Sequence, residues 1–125
     1  MTDGLQGVVV GHGGLAAALV TAAEEITGVQ GVLVGISNRG CDRGRLEELI
    51  GQGIAGRPSV IFVDLQSGSC FFAAMASLKA MPEVRVVTGV NLPMLVDFVF
   101  HRAAGLEAAV ARARQVGEQA IEGTR

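Results

Sequence analysis

The 125-residue chain has no tryptophan and no tyrosine, only two cysteines, two histidines and three prolines, and aromatic residues make up 4% of it. So few flat rings leave little for stacking a base or a sugar, and recognition falls to polar side chains and backbone amides. Cys41 and Cys70 form no CxxC pair, and with two distant histidines they supply no ligand set for a structural zinc. A reduced, cytoplasmic protein is the plain expectation. Net charge is −2, and the basic residues are scattered apart from Arg39, Arg43 and Arg45, so nucleic acid is not expected as a partner. No apolar run approaches the ~18 residues of a membrane span. The opening "MTDGLQG" lacks the basic and apolar regions of a signal peptide. Neither membrane insertion nor export is expected.

What the chain does have is apolar residue, half of the total, and 18 glycines. That is enough to bury a core, and a single domain over residues 1–125 is expected. Short apolar runs alternate with helical periodicity. "GVVVG" (7–11), "GVLVGI" (31–36), "SVIFVDL" (59–65) and "VRVVTGV" (84–90) read as strands. After the first, Leu15, Ala18, Leu19, Ala22, Ala23 and Ile26 fall at helical spacing until Gly28. Leu46, Leu49, Ile50 and Ile54 mark a second helix capped by Asp42. Phe71, Ala74, Met75 and Leu78 mark a third, closed off by Pro82. A fourth, capped by Asn91 with Pro93 near its start, carries Leu95, Val96 and Val99 on one side. A final amphipathic helix, about 106–121, points Val110, Ala113 and Ala120 inward. The order βαβαβαβαα predicts a doubly wound α/β fold, a mostly parallel sheet of order beginning 2-1-3-4 with helices on both faces.

Sites in such folds form at the carboxyl ends of the strands. The loops there read "GHGG", "SNRGCDRG", "DLQSGS" and "TGVNLP". With the first and third strands adjacent, His12 and Asp64 project from neighbouring strand ends. A carboxylate beside an imidazole takes up one ring N–H and leaves the other nitrogen as a nucleophile. Gly13 and Gly14 open one helix, and Ser67, Gly68 and Ser69 open another, so free amides and two helix N-termini converge there. That is a phosphate environment, and a histidine within it suggests phosphoryl transfer through phosphohistidine.

Plainer readings stand beside these. A lone histidine in a glycine-rich loop is commonly just a loop residue, and "GHGG" fits neither dinucleotide nor Walker patterns. Asp64 could simply cap a turn. Cys70 reads as a small buried hydrophobe or, near a helix start, as a reactive thiol. His101 complements a helix C-terminus. The three arginines read as solvated charge, or as a rim that meets an acidic partner or a phosphate.

The segments "GVVVGHGGLAAALVTAAEEITG", "VDLQSGS" and "VTGVNLPML" resemble the mannose-type enzyme IIA proteins of the bacterial phosphoenolpyruvate-dependent sugar phosphotransferase system, over nearly the whole chain. The resemblance implies a flavodoxin-like fold, commonly dimeric, with no metal or organic cofactor. It implies that His12 is the phosphorylated histidine and that Asp64 orients its ring. It implies phospho-HPr as donor, an enzyme IIB as acceptor, and association with a membrane sugar permease. Members usually read "DLFGGSP" where this chain has Asp64-Leu65-Gln66-Ser67-Gly68-Ser69-Cys70, so a glycine has become Ser67 and a proline Cys70. These positions shape the phosphate loop and the partner surface. A regulatory module that binds HPr or a regulator without supporting sugar uptake is therefore the second reading. The phosphotransferase subunit of dihydroxyacetone kinase is a third, against which "TGVNLPML" speaks.

Overall fold

The computed structural model describes residues 4–124, so Met1–Asp3 and Arg125 of the expected single domain lie outside the described residues. The elements run β1 (Gln6–Gly11), α1 (Leu15–Thr27), β2 (Leu33–Ser37), α2 (Arg43–Ile54), β3 (Ser59–Val63), α3 (Ser69–Ser77), β4 (Val84–Thr88), α4 (Leu92–Phe100) and α5 (Leu106–Gln119). The four strands form one sheet in the order β2-β1-β3-β4, as expected. All three pairings are parallel, with Val10 opposite both Ile36 and Val63, and Val63 opposite Thr88.

A parallel sheet covered on both faces needs strands that are apolar throughout. Every residue of β1 and β3 is buried. Alternation distributes them: Val9, Val60 and Phe62 enter the core beneath α1, α4 and α5, while Val8, Val10, Ile61 and Val63 enter the core beneath α2 and α3. Phe62 meets Phe98 of α4 edge-on, with centroids 5.0 Å apart. Two helix starts are set as the sequence predicts: Asp42 accepts the Arg45 N–H at 2.8 Å, and Asn91 accepts the Met94 N–H at 3.1 Å.

Several boundaries and faces differ from expectation. β2 begins at Leu33, β3 ends at Val63 and β4 at Thr88, which places Asp64 just beyond its strand. α3 ends at Ser77, ahead of Pro82, and buries Cys70, Ala73, Ala74 and Ser77 while Met75 is exposed. α5 turns Ala109, Ala113 and Gly117 inward; Val110 is half-buried and Ala120 exposed, since the helix has ended at Gln119. α1 buries Ala16 and Ala23 and leaves Leu15, Ala18 and Ile26 exposed. The cause is close approach: a Cβ on Gly35 of β2 would lie 3.2 Å from the Ala16 backbone. Helix and strand sit so near that small side chains fill the seam and larger ones turn outward.

Candidate functional site

The carboxyl ends of β1 and β3 bring His12 and Asp64 together, as their strand ends predict. Oδ2 of Asp64 accepts the backbone N–H of His12 at 2.9 Å and lies 2.8 Å from Nδ1 of its ring. Oδ1 accepts the N–H of Leu65 at 2.9 Å. Burial pushes the Asp64 carboxyl up, but hydrogen bonds from the His12 ring and backbone, electrostatic attraction to that ring and the Leu65 N–H together hold it below its usual value. An ionised carboxylate only accepts, so the network assigns the ring proton to Nδ1 and leaves the lone pair on Nε2. The imidazole is accessible, 42% exposed, against 9% for the Asp64 side chain.

Nε2 faces the start of α3. A Cβ on Gly68 would lie 4.0 Å from both Nε2 and Cε1. Gly68 has φ +88° and ψ −173°, a conformation essentially confined to glycine, and from it the chain turns straight into the helix. The N–H groups of Ser69, Cys70 and Phe71 precede the first helical donor, since the Phe72 N–H is the one that bonds back to the Gly68 carbonyl. Ser67, Gly68 and Ser69 are all exposed. On the other side Gly14 opens α1 with no side-chain cap.

Gly13 is engaged differently from the expected free amide. Its N–H donates to Oδ1 of Asn38 at 3.2 Å, and its carbonyl accepts the Ser37 hydroxyl at 2.7 Å. The Arg39 N–H donates to Oγ of Ser37 at 3.0 Å, and the Asn38 N–H to the Gly11 carbonyl at 3.2 Å. Ser37 and Asn38 thus tie the β2–α2 loop to the histidine loop. Sequence reasoning did not single them out, although their place at the end of a strand beside β1 is the signal that could have done so. Of the three arginines, Arg43 pairs with Glu47 and lies over the Phe72 ring, and Arg45 pairs with Glu48.

Cys70 is fully buried beneath the imidazole, its Sγ 3.8 Å from Nδ1. His12, Asp64 and Cys70 place ligand-type atoms within 4.8 Å of one another. Nδ1, however, is taken up by Asp64, and burial together with the Asp64 charge pushes the Cys70 thiol up, holding it protonated. The arrangement is an oriented histidine resting on sulfur, and its nucleophilic nitrogen points away from that cluster. His101 lies apart from the site, at the C-terminus of α4, with Nδ1 3.0 Å from the Asp97 carbonyl.

A cleft of about 330 Å³ lies beyond β4, lined by Gln66, Thr88, Asn91, Arg114 and Glu118 among others. Another of about 210 Å³ lies at the opposite, amino end of the strands, by Ile54, Pro82 and Val84. Neither is lined by His12. The imidazole is instead open to solvent, and Leu15, Leu65 and Phe72, near His12, Asp64 and Gly68 in the chain, are exposed as well. Among the described residues no helix is long and apolar enough to cross a membrane.

A parallel doubly wound α/β fold with a carboxylate-oriented histidine on its carboxyl rim defines the class. The chain belongs to the EIIA-man family, whose model, described as the PTS system fructose IIA component, matches residues 6–114. It is accordingly a phosphoryl-carrier component of the sugar phosphotransferase system. Solved structures agree in fold. The phosphotransferase system component EIIA from Streptococcus agalactiae superposes with a TM-score of 0.88 at 21% identity, covering 95% of this chain and 96% of that one. The mannose/sorbose specific IIA subunit from Enterococcus faecalis gives 0.82 at 20% identity, over 98% and 96%. A sigma-54 interaction domain protein, also from Enterococcus faecalis, gives 0.79 at 12%, over 95% and 94%. Among curated proteins no sequence matches.

Proposed function

We propose that His12 is the phosphoryl acceptor, that Nε2 attacks the phosphoryl group of phospho-HPr, and that an enzyme IIB receives the group in turn. The observation that carries this reading is the 2.8 Å contact between Nδ1 and Asp64, which leaves Nε2 as the free nucleophile at the start of α3. Asp64 fixes the tautomer and balances the positive charge that the ring acquires on phosphorylation. The opening amides of α3, with the hydroxyls of Ser67 and Ser69 and the N-terminus of α1 at Gly14, receive the phosphoryl oxygens. Exposure of the imidazole, and of the apolar Leu15, Leu65 and Phe72 in the loops and helix starts that carry the site, suits a protein donor, which must bring its own phosphohistidine to the ring. The reading includes a cytoplasmic homodimer that works beside a membrane sugar permease.

The test is incubation with phosphoenolpyruvate, enzyme I and HPr. One phosphoryl group on His12, absent from a His12→Ala variant, is expected; equal labelling of the variant overturns the assignment. A regulatory output is the second reading, favoured by the segment Gln66-Ser67-Gly68-Ser69-Cys70 and by the fold likeness to the sigma-54 interaction domain protein. Rapid discharge of the phosphoprotein by a mannose-type enzyme IIB supports transport, and a phosphoprotein that persists beside it supports regulation.

A further inference from the structure

Phosphoryl transfer places negative charge on three equatorial oxygens, and helix amides answer it with partial charges alone. A full positive charge is available nearby. Nη2 of Arg39 lies 3.1 Å from where a Cβ of Gly13 would stand, so the guanidinium occupies the space that the glycine beside His12 leaves open. Its backbone is held in place: the Arg39 N–H is bonded to Ser37, whose hydroxyl is bonded to Gly13. Its charge is also unspent. Arg43 and Arg45 are paired within α2, whereas among the described residues no carboxylate lies within ion-pair distance of Arg39.

We propose that Arg39 is a catalytic residue of the phosphoryl transfer, its guanidinium fork gripping the oxygens of the group in flight to Nε2 of His12. The inference rests on the proposed phosphorylation of His12 and adds the cation that this site supplies. In the step, the N–P bond of the donor phosphohistidine breaks as the bond to Nε2 forms. The electron pair returns to the donor nitrogen, whose ring leaves neutral with a proton on its other nitrogen. The His12 ring becomes an imidazolium against the Asp64 carboxylate. Arg39 reaches the oxygens from the α1 side while the α3 amides meet them from the other, so the two halves enclose the phosphoryl group.

The experiment measures single-turnover phosphorylation of the full chain against rising phospho-HPr, for wild type, Arg39→Ala and Arg39→Lys. The alanine variant is expected to lose about 100-fold in the saturating rate with little change in half-saturating concentration. Lysine, a point charge without the fork, recovers part of the loss. Phosphorus NMR on the phosphorylated proteins supplies the second readout: without the guanidinium, the last ionisation of the phosphoryl group moves to higher pH. A saturating rate and an ionisation unchanged in Arg39→Ala overturn the proposal. So does a loss confined to the half-saturating concentration and abolished by salt, which makes Arg39 a docking contact. Wild type that accepts no phosphate at all refutes the parent reading instead, a result distinct from either.

Discussion

One carboxylate oxygen of Asp64 holds His12 at two points, its backbone N–H at 2.9 Å and its ring Nδ1 at 2.8 Å. The grip fixes the loop as well as the ring. An Asp64→Asn change keeps the shape but removes the charge that, in the proposed reaction, balances a phosphorylated imidazole. Single-turnover phosphorylation is expected to slow by about 10- to 100-fold, with an unaltered circular dichroism spectrum. A variant as fast as wild type would show that the contact plays no part in the chemistry.

The same contact predicts how stability follows acidity. The Asp64 carboxyl is lowered in the folded protein, so folding favours its ionised form. Its contribution is complete above the ordinary carboxyl range, near pH 4, and fades as pH falls from there through the folded value. Urea unfolding of wild type and Asp64→Asn should therefore show a stability gap at neutral pH that closes in strong acid. A gap of constant size would sever the link.

The two thiols should differ sharply in reactivity. Cys70 is buried, and burial together with the Asp64 charge pushes its thiol up, against a smaller opposing contribution from Ser69. Cys41 is half-buried in the β2–α2 loop. A thiol reagent at neutral pH is expected to modify Cys41 quickly and Cys70 only on unfolding, and Cys41→Ser should abolish the fast phase. Equal rates for both would contradict the buried position of Cys70.

A stability gain is available at the end of α2, where Ala55 takes the left-handed conformation, φ 52° and ψ 37°, to cap the helix through its N–H to Gly51. An L-side chain is strained there and glycine is not, so Ala55→Gly is expected to stabilise by about 0.5–1 kcal/mol. That raises the thermal midpoint by about 2–4 °C. An unchanged or lowered midpoint would show that the exposed methyl carries no strain.

The strands were legible because a parallel sheet buried on both faces demands apolar runs, and Val8–Val10 and Val60–Val63 supply them without ambiguity. The faces of the helices were less so. In α1 alanine recurs on every side, so hydrophobic spacing selects Leu15 and Ile26 by size, while the tight approach to Gly35 selects Ala16 and Ala23 by smallness. α5 repeats the lesson, with Ala109, Ala113 and Gly117 against the core. Of the site, the meeting of His12 and Asp64 followed from strand order alone. The bonds from Ser37 and Asn38 to Gly13 did not, because a single hydroxyl or amide leaves no periodic trace and shows its partner only once β1 and β2 are paired.

The register of β1 against β3 carries a final consequence. Val10 stands opposite Val63, so the two strands deliver His12 and Asp64, 52 positions apart in the chain, to the same rim. A slip of one residue would reverse the side-chain direction of a whole strand and part them. On the proposed assignment of His12 as acceptor, competence to take up phosphate is thus a certificate of correct folding, issued by two central strands to any partner that asks for it.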